Sequence, residues 1–282
     1  MLFRSSSSLF RSSSSALTTP SGATPASAGV RRCSWSRRTL SAAIAAALTT
    51  GLLGLVSQTS SATPHSPAAA AAAAGEHVPV IMIPGMTGTP SYMNSMKSNL
   101  QTNGWPASRL FTWTDTSRMT QDLAKAAQEL SAKVDEVRSR TGASKVVLAT
   151  WSASTLAARY YIKNLDGADK VSQYIGFAGP QHGTTNNGCQ WYVSCQQFAS
   201  PNTPFLRALN SPTEVPFNDK IDYLTIRSAN DINAVPVDTA VLAGADENYL
   251  MSGPMAPNHF QIVSNSTALA KMRSFITAHE IA

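Results

Sequence analysis

From residue 78 onward, short apolar runs alternate with segments of helical period, and this alternation limits the fold more than any other feature of the chain. Residues 78–83, 110–113, 145–150, 171–177 and 221–227 read as strands, with a weaker sixth near 248–251. Most of these runs lack the polar alternation of a half-exposed strand, which suits strands covered on both faces. Between them, residues 120–140 place Leu123, Ala126, Ala127, Leu130, Val134 and Val137 on one helical face, and Gly142 follows as a stop. A second helix is expected over residues 153–165, ending at Gly167, and a third from 266 to the C-terminus. Strand–helix alternation predicts an α/β fold: a mostly parallel central sheet of about six strands, flanked by helices on both faces, in one domain over residues 76–282.

Residues 1–75 have another character. They carry Arg4, Arg11, Arg31, Arg32, Arg37 and Arg38 and no acidic residue. The remaining basic residues of the chain's 22 balance its 16 Asp plus Glu, so residues 76–282 have no formal net charge. The +6 of the whole chain is therefore a property of this leader. It gives no ground for a nucleic-acid partner, which requires a basic face on the folded domain. The arginines at 31–38 precede an uncharged stretch over residues 40–56 and then a Ser/Thr/Pro/Ala tract ending in the alanine run at 68–74. This order reads as an export signal followed by a cleavage zone and linker. The uncharged stretch is broken by Ser, Thr and Gly and is short for a membrane span. A secreted, monomeric mature chain without an integral membrane segment is expected. Arg37-Arg38 loosely resembles a twin-arginine signal. The tandem Leu-Phe-Arg-Ser-Ser-Ser-Ser within residues 2–15 is too short for a repeat fold.

Cysteine usage agrees with export. Cys33 lies in the leader, whereas Cys189 and Cys195 form an even pair in the mature part. In an oxidising compartment they predict one local disulfide, against the alternative of two free thiols. So small a loop adds about 2 kcal/mol or less. No Cys or His cluster has zinc spacing, and no metal is expected.

One junction carries chemistry. The strand at 145–150 runs directly into Trp151-Ser152-Ala153-Ser154, and a helix follows. Strand, sharp turn and helix around a serine are the setting of a nucleophile elbow. There the residues two before and two after the serine must be small, because strand and helix nearly touch. These are Thr150 and Ser154, where the usual motif has glycine. A competing reading makes Ser152 a helix cap. A helix N-terminus beside Ser152 would favour negative charge near the nucleophile.

Further segments resemble known secreted lipases. Tyr160-Tyr161-Ile162-Lys163-Asn164-Leu165-Asp166-Gly167, eight residues after Ser152, is similar to the small Bacillus lipase and its class 2 bacterial relatives. Thr150-Trp151-Ser152 resembles the elbow of Candida antarctica lipase B. So do Phe177-Ala178-Gly179-Pro180 leading to Gly183-Thr184, and Ser228-Ala229-Asn230-Asp231 leading to Val235-Pro236. Order and spacing across residues 78–275 carry the resemblance more than any single motif. It implies an α/β-hydrolase fold, a Ser–His–Asp triad, no organic cofactor, and hydrolysis of carboxylic esters of acylglycerols, at an oil–water interface or in solution.

That fold orders its triad as Ser, then Asp or Glu, then His. His259 follows the candidate acids and sits where the resemblance places the base. His182 comes before them and resembles the family's loop near the acyl pocket. His279 lies in the last helix. Asp231, directly after the strand at 221–227, is the expected acid, with Asp238 and then Asp246 as rivals. The backbone N–H groups of Ala153 and Met86 are expected to bind the oxyanion. Thr87, Trp151 and His182 are candidates for the pocket, and residues 181–205, with the cysteine pair, for its wall or flap. Ester hydrolysis of a non-lipid polymer and a catalytically inactive binding protein on the same fold are the competing readings.

Overall fold

The computed structural model describes residues 77–186 and 188–280. The leader and linker read over residues 1–75, with Cys33, lie outside the described residues.

The apolar runs form six strands: β1 Val80–Ile83, β2 Leu110–Thr112, β3 Val146–Trp151, β4 Val171–Phe177, β5 Asp222–Ser228 and β6 Glu247–Met251. They make one sheet in the order β2-β1-β3-β4-β5-β6. Every neighbouring pair is parallel, so the sheet is parallel throughout rather than mostly so. All residues of β1, β3 and β4 are buried. The period of two splits each strand between two cores: Ile81 and Ile83 face one, Val80 and Met82 the other.

The main helices are α1 Asn94–Thr102, α2 Leu123–Thr141, α3 Ser154–Asn164, α4 Val193–Gln196, α5 Pro204–Asn210 and α6 Ser266–Ala278. The buried faces of α2 and α3 share a core with Ile81, Leu148 and Tyr174. Those of α1 and α6 share the opposite core with Val80, Val147 and Leu224. Helix α2 starts at Leu123, three residues later than its periodicity suggests. Asp122 caps it, accepting the Ala124 N–H at 2.9 Å, and Thr120 belongs to the preceding turn. Gly142 ends it in the left-handed conformation, at φ 68°. Helix α1 was not expected. Its buried stripe is only Met96 and Leu100, continued from Met93, in an otherwise polar segment.

Parallel strands place the loops at their carboxyl ends on one edge of the sheet, where ligands bind in open α/β folds. The loops after β1, β3, β5 and β6 carry Met86, Ser152, Asp231 and His259. Among the described residues no helix is long and apolar enough to cross a membrane.

Candidate active site

Ser152 stands between β3 and α3 with φ 58°, a left-handed conformation that a side-chain-bearing residue adopts only when its surroundings impose it. Its N–H donates to Phe177 O at 2.9 Å, and Thr155 N–H donates to its carbonyl at 3.1 Å. The two positions that lack glycine are hydrogen-bonded rather than merely tolerated. Thr150 Oγ1 donates to Ile175 O at 2.9 Å. Ser154 Oγ accepts the Trp151 N–H at 3.0 Å and reaches Ile83 O and Trp151 O at 2.9 Å each. Ser154 is fully buried, so its hydroxyl staples the turn to the end of β1. Ser154→Ala leaves the Trp151 N–H without this acceptor. It is expected to lower unfolding free energy by about 1–3 kcal/mol, read from the midpoint of a urea titration.

The Ser152 hydroxyl caps no helix. Its Oγ lies 3.0 Å from His259 Nε2. The other ring nitrogen, Nδ1, lies 2.8 Å from Asp231 Oδ2 and 3.0 Å from Oδ1. Asp231 Oδ1 also accepts the N–H groups of Asn233 at 2.8 Å and Ala234 at 2.9 Å, which fixes the carboxylate plane. Asp231 and His259 are both buried. Trp151 Nε1 donates to His259 O at 3.0 Å, and its indole stands 5.4 Å from the imidazole. Phe260 meets the same imidazole edge-on.

The rival groups are engaged elsewhere. The Asp238 side chain is 80% exposed and pairs with Arg227. Asp246 accepts the Tyr223 N–H. His279 Nδ1 bonds Phe275 O on its own helix. His182 does not line the cleft beside Ser152, contrary to expectation. Its Nε2 is drawn to Glu214 Oε1 at 2.8 Å and its Nδ1 to Thr239 O at 3.2 Å.

The loop after β1 rests directly on Ser152. A Cβ at Gly85 would stand 2.7 Å from Ser152 Cβ and 3.0 Å from Trp151 O, so only glycine permits this approach. Gly88 N–H closes the loop onto Gly85 O at 3.0 Å. Among the described residues the N–H groups of Met86 and Ala153 have no acceptor, whereas Thr87 N–H donates to Arg118 O at 2.8 Å. Ser152 and His259 open onto a cleft of about 280 Å³ whose walls include Met86, Thr87, Trp151, Phe198 and Ala234. Cys189 also lines it and is disulfide-bonded to Cys195, with Cα atoms 5.7 Å apart. Chemically, this arrangement can remove a proton from Ser152 as its oxygen attacks, and can hold an oxyanion against unpaired N–H groups. Among the described residues no cluster of His, Cys, Asp or Glu is placed to hold a metal ion.

No family model matches the sequence. Solved structures resemble the chain at low identity. Lipase B of Aspergillus fumigatus aligns with a TM-score of 0.61 at 18% identity, over 71% of this chain and 52% of that one. The present chain thus spans about half the length of that lipase. The mature form of lipase BlEst2 from Bacillus licheniformis aligns at 0.54 and 17% identity, over 73% of this chain and 93% of that one. The lin2722 gene product of Listeria innocua aligns at 0.55 and 14%, over 73% and 96%. The chain has the α/β-hydrolase fold. In that fold a nucleophile, an acid and a base follow one another in the order Ser, Asp, His, and Ser152, Asp231 and His259 stand in that order along this chain.

Sequence reasoning missed one charged group. Arg159 on α3 is fully buried. Its guanidinium donates to Glu214 O at 2.6 and 3.1 Å, Gln181 Oε1 at 3.0 Å and Asn210 Oδ1 at 2.9 Å. Burial pushes its pKa down, while Tyr174, Tyr223 and Glu214 act in the other direction. The helix that begins at the serine turn is thereby tied to the loops behind the cleft. Only an arginine on an otherwise apolar helical face could have signalled it. Arg159→Ala strands three acceptors and is expected to destabilise the protein by about 3–5 kcal/mol, measured by denaturant unfolding. Arg159→Met, which restores volume without charge, is expected to cost less.

Proposed function

We propose that the chain is a secreted serine ester hydrolase, a triacylglycerol lipase or carboxylesterase acting without a cofactor. One observation carries this reading: the continuous hydrogen-bonded line from Ser152 Oγ through His259 to Asp231, set beside two backbone N–H groups that have no acceptor among the described residues. His259 Nε2 takes the Ser152 proton while Oγ bonds to the ester carbon. The carbonyl π pair moves to oxygen, and the resulting anion is held by the N–H groups of Met86 and Ala153. The tetrahedral species collapses, the C–O bond to the alcohol breaks, and His259 returns the proton to the departing oxygen. Water then repeats the sequence on the acyl-enzyme. Asp231 keeps the Nδ1–H tautomer and stabilises the imidazolium.

The disulfide and the leader support an exported protein. The loops flanking the cleft expose Ile232 and Phe260, and the disulfide loop exposes Trp191. Apolar side chains in these positions favour an aggregated or polymeric ester over a dilute soluble one. The test is release of p-nitrophenol from butyrate to palmitate esters, with and without an emulsified interface. Activity that extends to long acyl chains and rises at the interface is expected. Preference for soluble short-chain esters alone would count against a lipase. Absence of activity on every ester would overturn the enzymatic reading.

A further inference from the structure

We infer that Asp115 is a positioning residue for the oxyanion donors, acting through the turn at residues 115–120. The inference rests on the serine-hydrolase reading above.

Asp115 is a buried carboxylate outside the line of reacting groups. Its Oδ1 accepts the Met119 N–H at 2.7 Å, and its Oδ2 accepts the Ser117 N–H at 3.0 Å and the Ser117 hydroxyl. Those bonds close a turn in which Arg118 and Met119, at φ 53° and 56°, are consecutive left-handed residues bearing side chains. Such a pair is held only where its surroundings fix it. The left-handed pair sets the direction of two carbonyls, one bonded to the donor loop and the other to the Ser194 hydroxyl beside it. Arg118 O accepts the Thr87 N–H at 2.8 Å. Met119 O accepts the Ser194 hydroxyl at 2.6 Å, and that hydroxyl lies 3.5 Å from Met86 Sδ.

Thr87 is itself left-handed, at φ 62°, an unusual conformation for a β-branched residue. Its backbone tether to Arg118 O, the one it has among the described residues, is therefore decisive for the peptide that precedes it, and that peptide follows the Met86 N–H. Asp115 thus acts at two removes: carboxylate to turn, turn to Thr87 and Ser194, and these to Met86. Asparagine cannot replace it. It offers one acceptor oxygen where two are used, and it presents an NH2 group to existing N–H donors.

The test compares an oxoester with its thionoester. In the thionoester the developing charge falls on sulfur, a poor acceptor, so oxyanion donors contribute little. Asp115→Asn is expected to lower kcat for the oxoester about 10- to 100-fold with little change in KM. The thionoester rate should fall by roughly threefold or less, so the oxygen-to-sulfur ratio collapses. Circular dichroism establishes that the variant is folded. Parallel loss on both esters, or no loss, would overturn the inference. Should Asp115→Asn not fold, Ser194→Ala decides by the same ratio: a fall supports the buttress, and an unchanged ratio contradicts it. Failure of the hydrolase reading itself is distinct, because the wild type would then cleave neither ester.

Discussion

Ser152→Ala is expected to lower kcat for a p-nitrophenyl ester by about 10⁶-fold while leaving the fold intact. The change removes one oxygen. It removes neither the backbone bonds to Phe177 O and from Thr155 N–H nor the Ser154 staple, so the left-handed turn keeps its supports. Alanine adopts φ 58° no more readily than serine, and the unfolding midpoint should move little. Residual turnover should remain above the uncatalysed rate, because the Met86 and Ala153 N–H groups survive the substitution. Retained activity in a folded Ser152→Ala variant would require another nucleophile.

Asp231→Asn is expected to lower kcat by about 10⁴-fold, again with little effect on folding. The reason lies in which oxygen faces which donor. Asp231 Oδ1 accepts two backbone N–H groups, from Asn233 and Ala234. An asparagine would turn its carbonyl oxygen to that pair and place its NH2 where Oδ2 meets His259 Nδ1. Nδ1 would then have to accept, the ring proton would move to Nε2, and His259 could no longer take the proton of Ser152. Asp238→Asn is the matching control. That side chain is 80% exposed and bonded to Arg227, and its substitution should leave kcat unchanged. A large loss there, with activity retained in Asp231→Asn, would transfer the acid role to the rival aspartate.

The sheet is legible in the sequence because strands covered on both faces need unbroken apolar runs, whereas β6, half-exposed at the edge, leaves only a weaker signal. Loop geometry was less legible. Helix α1 leaves little trace in the sequence because two or three buried residues in a segment of Ser, Asn and Lys make a faint period. The periodicity runs past the true start of α2 because Thr120 suits a helix and the turn organised by Asp115 equally well. Thr150 and Ser154 looked like departures from a glycine motif. Their hydroxyls bond backbone carbonyls across the elbow, which no linear pattern reveals. The neighbours of His182 in the chain point to the pocket. Glu214, 32 residues away, turns it elsewhere. Asp231 stood among three aspartates until burial and hydrogen bonding separated them. Arg159 illustrates the same limit: a buried cation is stable only with partners, and its partners, Gln181, Asn210 at the end of α5, and Glu214, lie 22 to 55 residues away.

Covalent capture tests Ser152 as the nucleophile most directly: the intact protein is treated with a fluorophosphonate, and its mass and labelled peptide are read. One adduct per chain is expected, on the peptide containing Ser152, absent after Ser152→Ala and present after Ser154→Ala. A protein that stays unmodified, or an adduct that persists in Ser152→Ala, would contradict it.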